Sequence, residues 1–210
     1  MIRILIADDH PVIRQGVRQI ASGTDDLRVV DDAIDARTLL EKARAVEHDI
    51  VLLDLSMPGT NGLDVLKQLR RERPKIPVLI LTMYAEDQFA IRALKAGASG
   101  YVVKACEPAE LIGAVRRVAA GGRYISMEVA EGLARHLADD TDKPPHERLS
   151  DREYEVFRLI AAGKSTREIS ATLSLSVKTI GTYRTRIFEK MAMKTVAELA
   201  AYVVRNQLGE

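Results

Sequence analysis

Short apolar runs alternate with amphipathic segments along roughly the first 120 residues of the chain. Five of these runs are nearly continuous in Ile, Val and Leu, which is typical of strands buried on both faces. They are IRILIA at 2–7, LRVVDDA at 27–33, DIVLLDL at 49–55, PVLILTM at 77–83 and GYVVK at 100–104. The segments between and after them favour helices near 11–22, 35–46, 62–73, 85–96 and 107–120. This alternation predicts an α/β domain on a doubly wound, five-stranded parallel sheet.

The pattern changes near residue 149, after which no strand-like run occurs. Capping boxes, in which Ser or Thr is followed three residues later by Glu, mark helix starts at Ser150, Ser165 and Thr195, and Ser176 is a further start without the Glu. Helices are predicted near 151–162, 166–173, 177–190 and 196–206, with Gly163 ending the first. We therefore expect a domain at 1–121, a linker at 122–148 with room for a short helix at its start, and a small all-α domain at 149–210.

Composition narrows the class of protein. Hydrophobic residues make up 47% of the 210 residues, charged residues make up 29%, and the net charge is +1. These values allow a sizeable core and exclude a uniformly basic protein, so any nucleic-acid site has to be a local patch. The single cysteine, Cys106, excludes an internal disulfide framework. No signal peptide or membrane-spanning run is visible, and we expect a cytoplasmic protein without a membrane partner.

The stretch HDIVLLDLSMPG, residues 48–59, places Asp54 at the end of a buried strand. Asp8 and Asp9 end the first strand, Thr82 ends the fourth and Lys104 ends the fifth. If the first and third strands are neighbours, the three carboxylates converge, and a hard divalent ion such as Mg²⁺ would relieve their repulsion. A carboxylate beside a metal ion, a hydroxyl and an ammonium predicts a phosphoryl-acceptor site.

The segments LIADDH, VLLDLSMPGTNG, LTMY and GASGYVVKA resemble the receiver domain of bacterial two-component response regulators. The resemblance implies a flavodoxin-like sheet with strand order 2-1-3-4-5. It also implies that a histidine kinase phosphorylates Asp54 and that Asp8, Asp9, Asp54 and the backbone carbonyl of Ser56 hold Mg²⁺. Thr82 and Lys104 are expected to contact the phosphoryl group, and Tyr101 is expected to be the rotating switch residue. Many receivers have Pro after this Lys, whereas Ala105 stands here.

A basic helix is predicted near the end of the chain, in SVKTIGTYRTRIFEKMAMK at 176–194. Its apolar positions, Val177, Ile180, Ile187 and Met191, predict one buried stripe. Residues 149–210 carry 10 Lys and Arg against 7 Asp and Glu, a net charge of +3, which leaves −2 for the rest. A helix with one buried stripe and a basic face of small residues can enter the major groove of DNA.

The segment from LSDREYEVF to RTRIFEKM resembles the four-helix LuxR-type helix-turn-helix, and together with the receiver it is similar to the NarL/FixJ class of response regulators. The resemblance implies that Gly181, Thr182 and Thr185 face DNA bases, and that Lys178, Thr179, Tyr183, Arg184 and Lys190 lie near the DNA backbone. Arg186 is on the same basic face. The implied output is a phosphorylation-dependent homodimer that binds promoter DNA and regulates transcription, with RNA polymerase as a further partner.

Two other functions remain open at this point. One is a DNA-binding regulator whose first domain responds to a ligand or partner without phosphoryl chemistry. The other is an aspartyl-phosphate hydrolase, although such an enzyme would want an acid two residues beyond Asp54, where Ser56 stands. The histidines lack metal-ligand spacing, and we expect surface or loop positions for His10, His48, His136 and His146.

Overall fold

A computed structural model describes residues 1–57, 60–83, 87–127, 129–130, 144–206 and 208. The chain separates into two compact units, Met1–Leu133 and Ala134–Glu210. Within the described residues, no helix has both the length and the apolar character that a membrane span requires.

The first unit is an α/β sandwich whose strands alternate with helices. The strands are β1 (Ile2–Ala7), β2 (Leu27–Ala33), β3 (Ile50–Leu53), β4 (Val78–Thr82), β5 (Gly100–Val103) and β6 (Tyr124–Ile125). The helices are α1 (Pro11–Ser22), α2 (Ala36–Ala45), α3 (Gly62–Glu72), α4 (Asp87–Lys95) and α5 (Pro108–Ala119). All neighbouring strands pair in parallel, in the order 2-1-3-4-5-6.

This arrangement confirms the doubly wound parallel sheet and the implied order of its first five strands. The two-residue strand β6, which pairs with β5, was not predicted, because two residues are too short to give a hydrophobic period. It lies at the start of the predicted linker. Beyond it Met127, Val129 and Ala130 are helical, and residues 131–143 lie outside the described part of the chain.

The core of the first unit lies on both faces of the central strands. Every residue of β3 and of β4 is buried, as are the last four residues of β1. Side chains from α1 and α5, among them Val17, Leu111 and Val115, pack against one face of these strands. Burying apolar surface on both faces stabilises the sheet and forces polar side chains toward the strand ends.

The second unit is helical. A 3₁₀ turn (Pro145–Arg148) precedes α6 (Asp151–Ala161), α7 (Thr166–Leu173), α8 (Val177–Met191) and α9 (Val196–Arg205). The predicted capping boxes are confirmed at Ser150, Ser165 and Thr195, and Ser176 caps α8 through the backbone N–H of Thr179 at 3.0 Å. Gly163 follows α6 with a φ of 81°, a backbone conformation that favours glycine.

Two of the histidines expected at surface or loop positions are buried, and of these His48 does lie in a loop. The side chain of His48 is fully buried before β3, where its Nε2 atom lies 3.0 Å from a carboxylate oxygen of Asp31. His146, in the 3₁₀ turn, is buried, and its Nδ1 atom lies 2.8 Å from the Tyr202 hydroxyl. In both cases one ring nitrogen has a polar partner far away in the chain, which the local pattern does not reveal. His136 lies outside the described residues.

Candidate functional site

The carboxyl ends of β1 and β3 lie side by side at one edge of the sheet. The Asp54 N–H donates to the Ala7 carbonyl at 2.9 Å, and the Asp8 N–H donates to the Ala33 carbonyl at 3.0 Å. These bonds extend the ladders between neighbouring strands by one residue. Asp8 and Asp54, each 1% exposed, are therefore brought to the same edge, as the sequence prediction required.

Lys104 joins the two buried acids. Its Nζ atom donates to Asp54 Oδ2 at 2.6 Å and forms an ion pair with Asp8 Oδ2 at 2.8 Å. The Lys104 side chain is 3% exposed, so the ion pairs are shielded from water. The backbone N–H of Lys104 donates to the Thr82 carbonyl at 2.7 Å, which places Thr82 beside it.

The remaining predicted residues surround this centre. The Ser56 N–H donates to Asp54 Oδ1 at 3.1 Å, which fixes the orientation of the carboxylate and the turn that follows it. Thr82 is fully buried at the end of β4. Tyr101 is fully buried on β5 and pairs with Ile80 of β4. The structure thus places Asp8, Ser56, Thr82 and Lys104 at or next to the strand ends where Asp54 lies, with Asp9 next to Asp8 in the chain. Tyr101 is the second residue of β5 and lies before that edge.

Burial raises the pKa of the Asp54 carboxyl above its ordinary value, and the hydrogen bond and charge of Lys104 offset only part of that effect. The pKa of the Lys104 ammonium is also raised: burial lowers it, but contacts with Asp54 and Asp8 outweigh burial. A carboxylate that resists ionisation in its own fold needs additional positive charge nearby, which a bound cation would supply.

The donor set at this edge fits a divalent cation. Asp8, Asp9, His10 and Asp54 each offer one ligand atom, and these atoms lie within 4.8 Å of one another. Within the described part of the chain, Asp8 Oδ2 and Asp9 Oδ1 are buried and accept no hydrogen bond, and their nearest charged or polar contacts are Lys104 Nζ at 2.8 Å and His10 Nδ1 at 2.9 Å. Carboxylate oxygens are the ligands that Mg²⁺ prefers.

Two residues next to the site were missed by sequence reasoning. The Nδ1 atom of His10 lies 3.1 Å from Asp8 Oδ1 and 2.9 Å from Asp9 Oδ1. Arg14 donates from Nη1 to the Asp8 carbonyl at 2.8 Å and from Nε to Asp32 at 3.0 Å. Both follow the acid pair closely in the chain, and that adjacency was the available signal, although adjacency alone does not give side-chain direction.

The second candidate site is the surface of α8. Ile180, Ile187 and Met191 are buried, which confirms most of the predicted stripe. Val177 is 50% exposed, so its assignment to the stripe was wrong: it is the first residue of α8 and lies at the helix end. Exposed positions that recur every three or four residues share one face of the helix; they are Lys178, Thr182, Thr185, Arg186 and Glu189. Val177 and Lys190 are also exposed, near the two ends of the helix.

The other predicted DNA-contacting residues are half-buried or engaged within the domain. Thr179, Gly181, Tyr183 and Arg184 are half-buried, and the Arg184 guanidinium lies over the Phe188 ring, 5.3 Å from its centroid. Lys190 is exposed, but its Nζ atom donates to Glu153 Oε2 of α6 at 2.6 Å. The ammonium predicted to lie near DNA therefore also ties α8 to α6.

Two family models match the chain. Residues 4–116 match the response regulator receiver domain, and residues 147–203 match the bacterial regulatory proteins of the luxR family. The response regulator GacA of Pseudomonas viridiflava is 41% identical over 207 residues, which cover 98% of this chain and 97% of GacA. UvrY of Escherichia coli strain K12 is 33% identical over 209 residues, which cover 99% of this chain and 96% of UvrY.

Solved structures agree with this assignment. A structure of the RcsB response regulator of Salmonella typhimurium aligns with a TM-score of 0.73 at 26% identity, covering 97% of each chain. The response regulator ChrA of a heme-sensing two-component system aligns with a TM-score of 0.54 at 31% identity, covering 99% of this chain and 98% of ChrA. The chain therefore belongs to the NarL/FixJ class of two-component response regulators, a family of transcription regulators that join a receiver domain to a LuxR-type helix-turn-helix.

Proposed function

We propose that this chain is a transcription regulator in which phosphorylation of Asp54 by a histidine kinase controls dimerisation and binding to promoter DNA. The observation that carries the proposal is the convergence of Asp54, Asp8 and Lys104 in one buried cluster, with Lys104 Nζ at 2.6 Å and 2.8 Å from the two carboxylates. A purely structural ion pair would not need two buried acids on one lysine.

In the first step an Asp54 carboxylate oxygen attacks the phosphorus of a phosphohistidine on the kinase. The O–P bond forms as the P–N bond breaks, which leaves an acyl phosphate on Asp54 and a free imidazole on the kinase. Asp8, Asp9, Asp54 and the Ser56 carbonyl would hold Mg²⁺, which when bound neutralises charge on the phosphoryl oxygens.

The chain's own residues would stabilise the product. Lys104 lies between the acids with its ammonium free of solvent, so a small shift takes it from the Asp54 carboxylate to a phosphoryl oxygen. The hydroxyl of Thr82, at the end of the neighbouring strand, would bind a second phosphoryl oxygen. Tyr101 is buried in this conformation, so a switch would require a second conformation in which its ring leaves the β4–β5 surface.

The output would be sequence-specific DNA binding through α8. Lys178 and Arg186 would contact phosphates, while Gly181, Thr182 and Thr185 permit close approach to base edges. Support comes from the related RcsB, which has been solved bound to the promoter rprA in the presence of the phosphomimetic BeF3⁻, with a TM-score of 0.68 to this chain. A dimer would read two half-sites about one DNA turn apart and would act on RNA polymerase from there.

Radiolabelled acetyl phosphate with Mg²⁺ tests the acceptor. We expect the wild-type chain and Asp64→Asn, a matched control on the exposed face of α3, to take up label, and Asp54→Asn to take up none. Label on Asp54→Asn equal to that on the wild-type chain would remove Asp54 as the acceptor.

DNA affinity measured against salt concentration tests the output. Lys178→Ala and Arg186→Ala should each weaken binding and reduce the slope of log affinity against log salt by about 1. Lys75→Ala, which removes an exposed lysine from the first unit, should leave the slope unchanged. If the phosphoryl donor raises DNA affinity equally in the wild-type chain and Asp54→Asn, or in neither, control independent of phosphorylation replaces the present proposal.

A further inference from the structure

The ring of His10 is oriented by the acids and not by its own helix, because its Nδ1 atom lies within hydrogen-bond distance of Asp8 Oδ1. His10 is the N-cap residue of α1, yet its side chain accepts no hydrogen bond from the first turn of that helix. The side chain is 57% exposed, so packing does not hold the ring in place. Its Nδ1 atom nevertheless approaches two carboxylates at once, one from Asp8 and one from Asp9.

The separations between His10 and the two acids match those of neighbouring ligands around one ion. Neighbouring ligands about 2.1 Å from a metal and at right angles lie about 3.0 Å apart, and opposite ligands lie about 4.2 Å apart. His10 Nδ1 lies 3.1 Å from Asp8 Oδ1 and 2.9 Å from Asp9 Oδ1. The ligand atoms of all four residues in the cluster lie within 4.8 Å of one another. The imidazole nitrogen therefore occupies a position that a coordination shell can use.

Lys104 leaves this side of the cluster open. Its ammonium approaches the Oδ2 atoms of Asp8 and Asp54, whereas His10 approaches the Oδ1 atom of Asp8. The lysine and the histidine thus contact different oxygens of the same carboxylate. Among the described residues, Asp9 Oδ1 is buried without a hydrogen bond, which leaves an oxygen available to an ion on the histidine side.

We propose that His10 is a nitrogen ligand of the acidic site, which gives it a mixed oxygen and nitrogen shell for borderline first-row divalent ions such as Co²⁺. Mg²⁺, a hard ion, would use the carboxylate oxygens and water and would not use His10. This inference rests on the proposed function, because it concerns the cation site of the same acceptor cluster. It adds a ligand class, and with it a metal preference, that the acids alone do not provide.

Calorimetric titration of the full chain with Mg²⁺ and with Co²⁺, at about pH 8 where free imidazole is neutral, tests the proposal. The chain should carry no polyhistidine tag. We expect His10→Ala to weaken Co²⁺ binding at least about tenfold, the lower end of the loss seen when even an outer-shell partner of a metal ligand is removed. Mg²⁺ binding should change less than about twofold. Asp9→Asn, which removes an oxygen ligand, should weaken the binding of both ions.

The visible absorption band of bound Co²⁺ provides a readout that a structural role would not move, because replacing a nitrogen ligand by oxygen shifts that band. It should shift in His10→Ala and remain in Asp64→Asn. An unchanged band, or equal changes in Mg²⁺ and Co²⁺ affinity, would overturn the role of His10 while leaving the acceptor site intact. Failure of the wild-type chain to bind either ion would overturn both this inference and the proposed metal site.

Discussion

At the residue scale, Asp54 illustrates a site maintained at the expense of stability. Burial raises its pKa, so the folded chain binds this proton more tightly than the unfolded chain does. Ionisation at neutral pH therefore lowers the free energy of unfolding. The proposed phosphoryl transfer requires the carboxylate there, because an apolar or amide side chain cannot attack phosphorus.

We predict that Asp54→Asn raises the free energy of unfolding in Mg²⁺-free buffer at pH 7 by about 1 kcal/mol, the usual size of a stabilising substitution. This difference in unfolding free energy should shrink as the pH falls through the raised folded pKa toward the ordinary value of 3.8, below which the wild-type carboxyl is protonated in both the folded and the unfolded chain. Urea unfolding of the full chain followed by circular dichroism measures it.

Asp26→Asn is the matched control for that measurement. Its hydrogen bond from Arg116 lowers the pKa of Asp26, so its charged form stabilises the fold and the substitution should lower stability at pH 7. If Asp54→Asn and Asp26→Asn changed the free energy of unfolding in the same direction, burial of Asp54 would not explain its effect.

In the second unit, the charged form of Glu153 stabilises the fold, in contrast to the charged form of Asp54. Burial raises the pKa of this carboxyl, but the bonds from Lys190 and from the Ser150 N–H lower it more. Its contribution is therefore present above the ordinary value of 4.5 and is lost as the pH falls through the folded value. We predict that Glu153→Gln lowers stability at pH 7 by about 2 kcal/mol, as expected for a hydrogen bond to a charged group.

Denaturant unfolding of Glu153→Gln between pH 3 and pH 7 tests this prediction. The difference in unfolding free energy from wild type should narrow below pH 4.5. Glu168→Gln is the control: Glu168 holds the same capping-box position in α7, and it is exposed. Its effect should be smaller at every pH. Equal effects would mean that the cap alone, without Lys190, accounts for the role of Glu153.

At the scale of elements, two glycines in helices differ in the space available for a side chain. A Cβ atom at Gly62 would lie 2.4 Å from the Leu55 Cα and 2.5 Å from the Leu55 carbonyl oxygen. The start of α3 therefore touches the backbone just after Asp54, and only glycine fits. A Cβ atom at Gly181, inside α8, would meet nothing within 4 Å.

We predict opposite effects of alanine at these two positions. Gly62→Ala should lower the free energy of unfolding by about 3 kcal/mol, because the backbone at Leu55 must move. Since Leu55 follows Asp54 directly, the substitution should also slow labelling by acetyl phosphate. Gly181→Ala should raise it by about 1 kcal/mol, the ordinary difference between these residues within a helix. Thermal unfolding of both variants decides. A destabilised Gly181→Ala would show that its glycine serves packing within the chain, not approach to DNA.

The starts of the helices in the second unit can be predicted from local sequence, whereas the left-handed residues that end two of them cannot. The starts of α6 to α9 were predicted from Ser and Thr caps and are confirmed, because the capping hydroxyl acts within its own turn. The ends of α7 and α8 use Ser174 and Ala192 with φ of 51° and 53°. Neither residue signals a left-handed backbone in sequence, so packing around each helix end must hold these conformations.

At the scale of the whole molecule, the second unit begins before its first α-helix. His146 bonds to Tyr202 of α9, and its ring centroid lies 5.8 Å from that of Tyr202 and 6.3 Å from that of Tyr154. We predict that a fragment of residues 144–210 is more stable than one of residues 149–210 by about 2 kcal/mol, because the shorter fragment loses a buried hydrogen bond and aromatic packing.

Thermal unfolding of the two fragments measures the difference. His146→Ala in the longer fragment should reproduce most of the loss, while Arg148→Ala, at an exposed position of the same turn, should not. Equal melting temperatures would place the start of the folded domain at 149, the boundary expected from the sequence.

The sequence by itself determined the alternation of strands and helices, the capped helix starts and the positions of Asp8, Asp9, Asp54, Thr82 and Lys104 at strand ends, because hydrophobic periodicity and caps act within a few residues. Only the tertiary structure decided which strands are neighbours, that Lys104 lies between two acids, that His10 turns toward them and that Lys190 ties α8 to α6. Those relations depend on packing between segments far apart in the chain, and side-chain direction there follows from burial and from partners that local pattern does not encode.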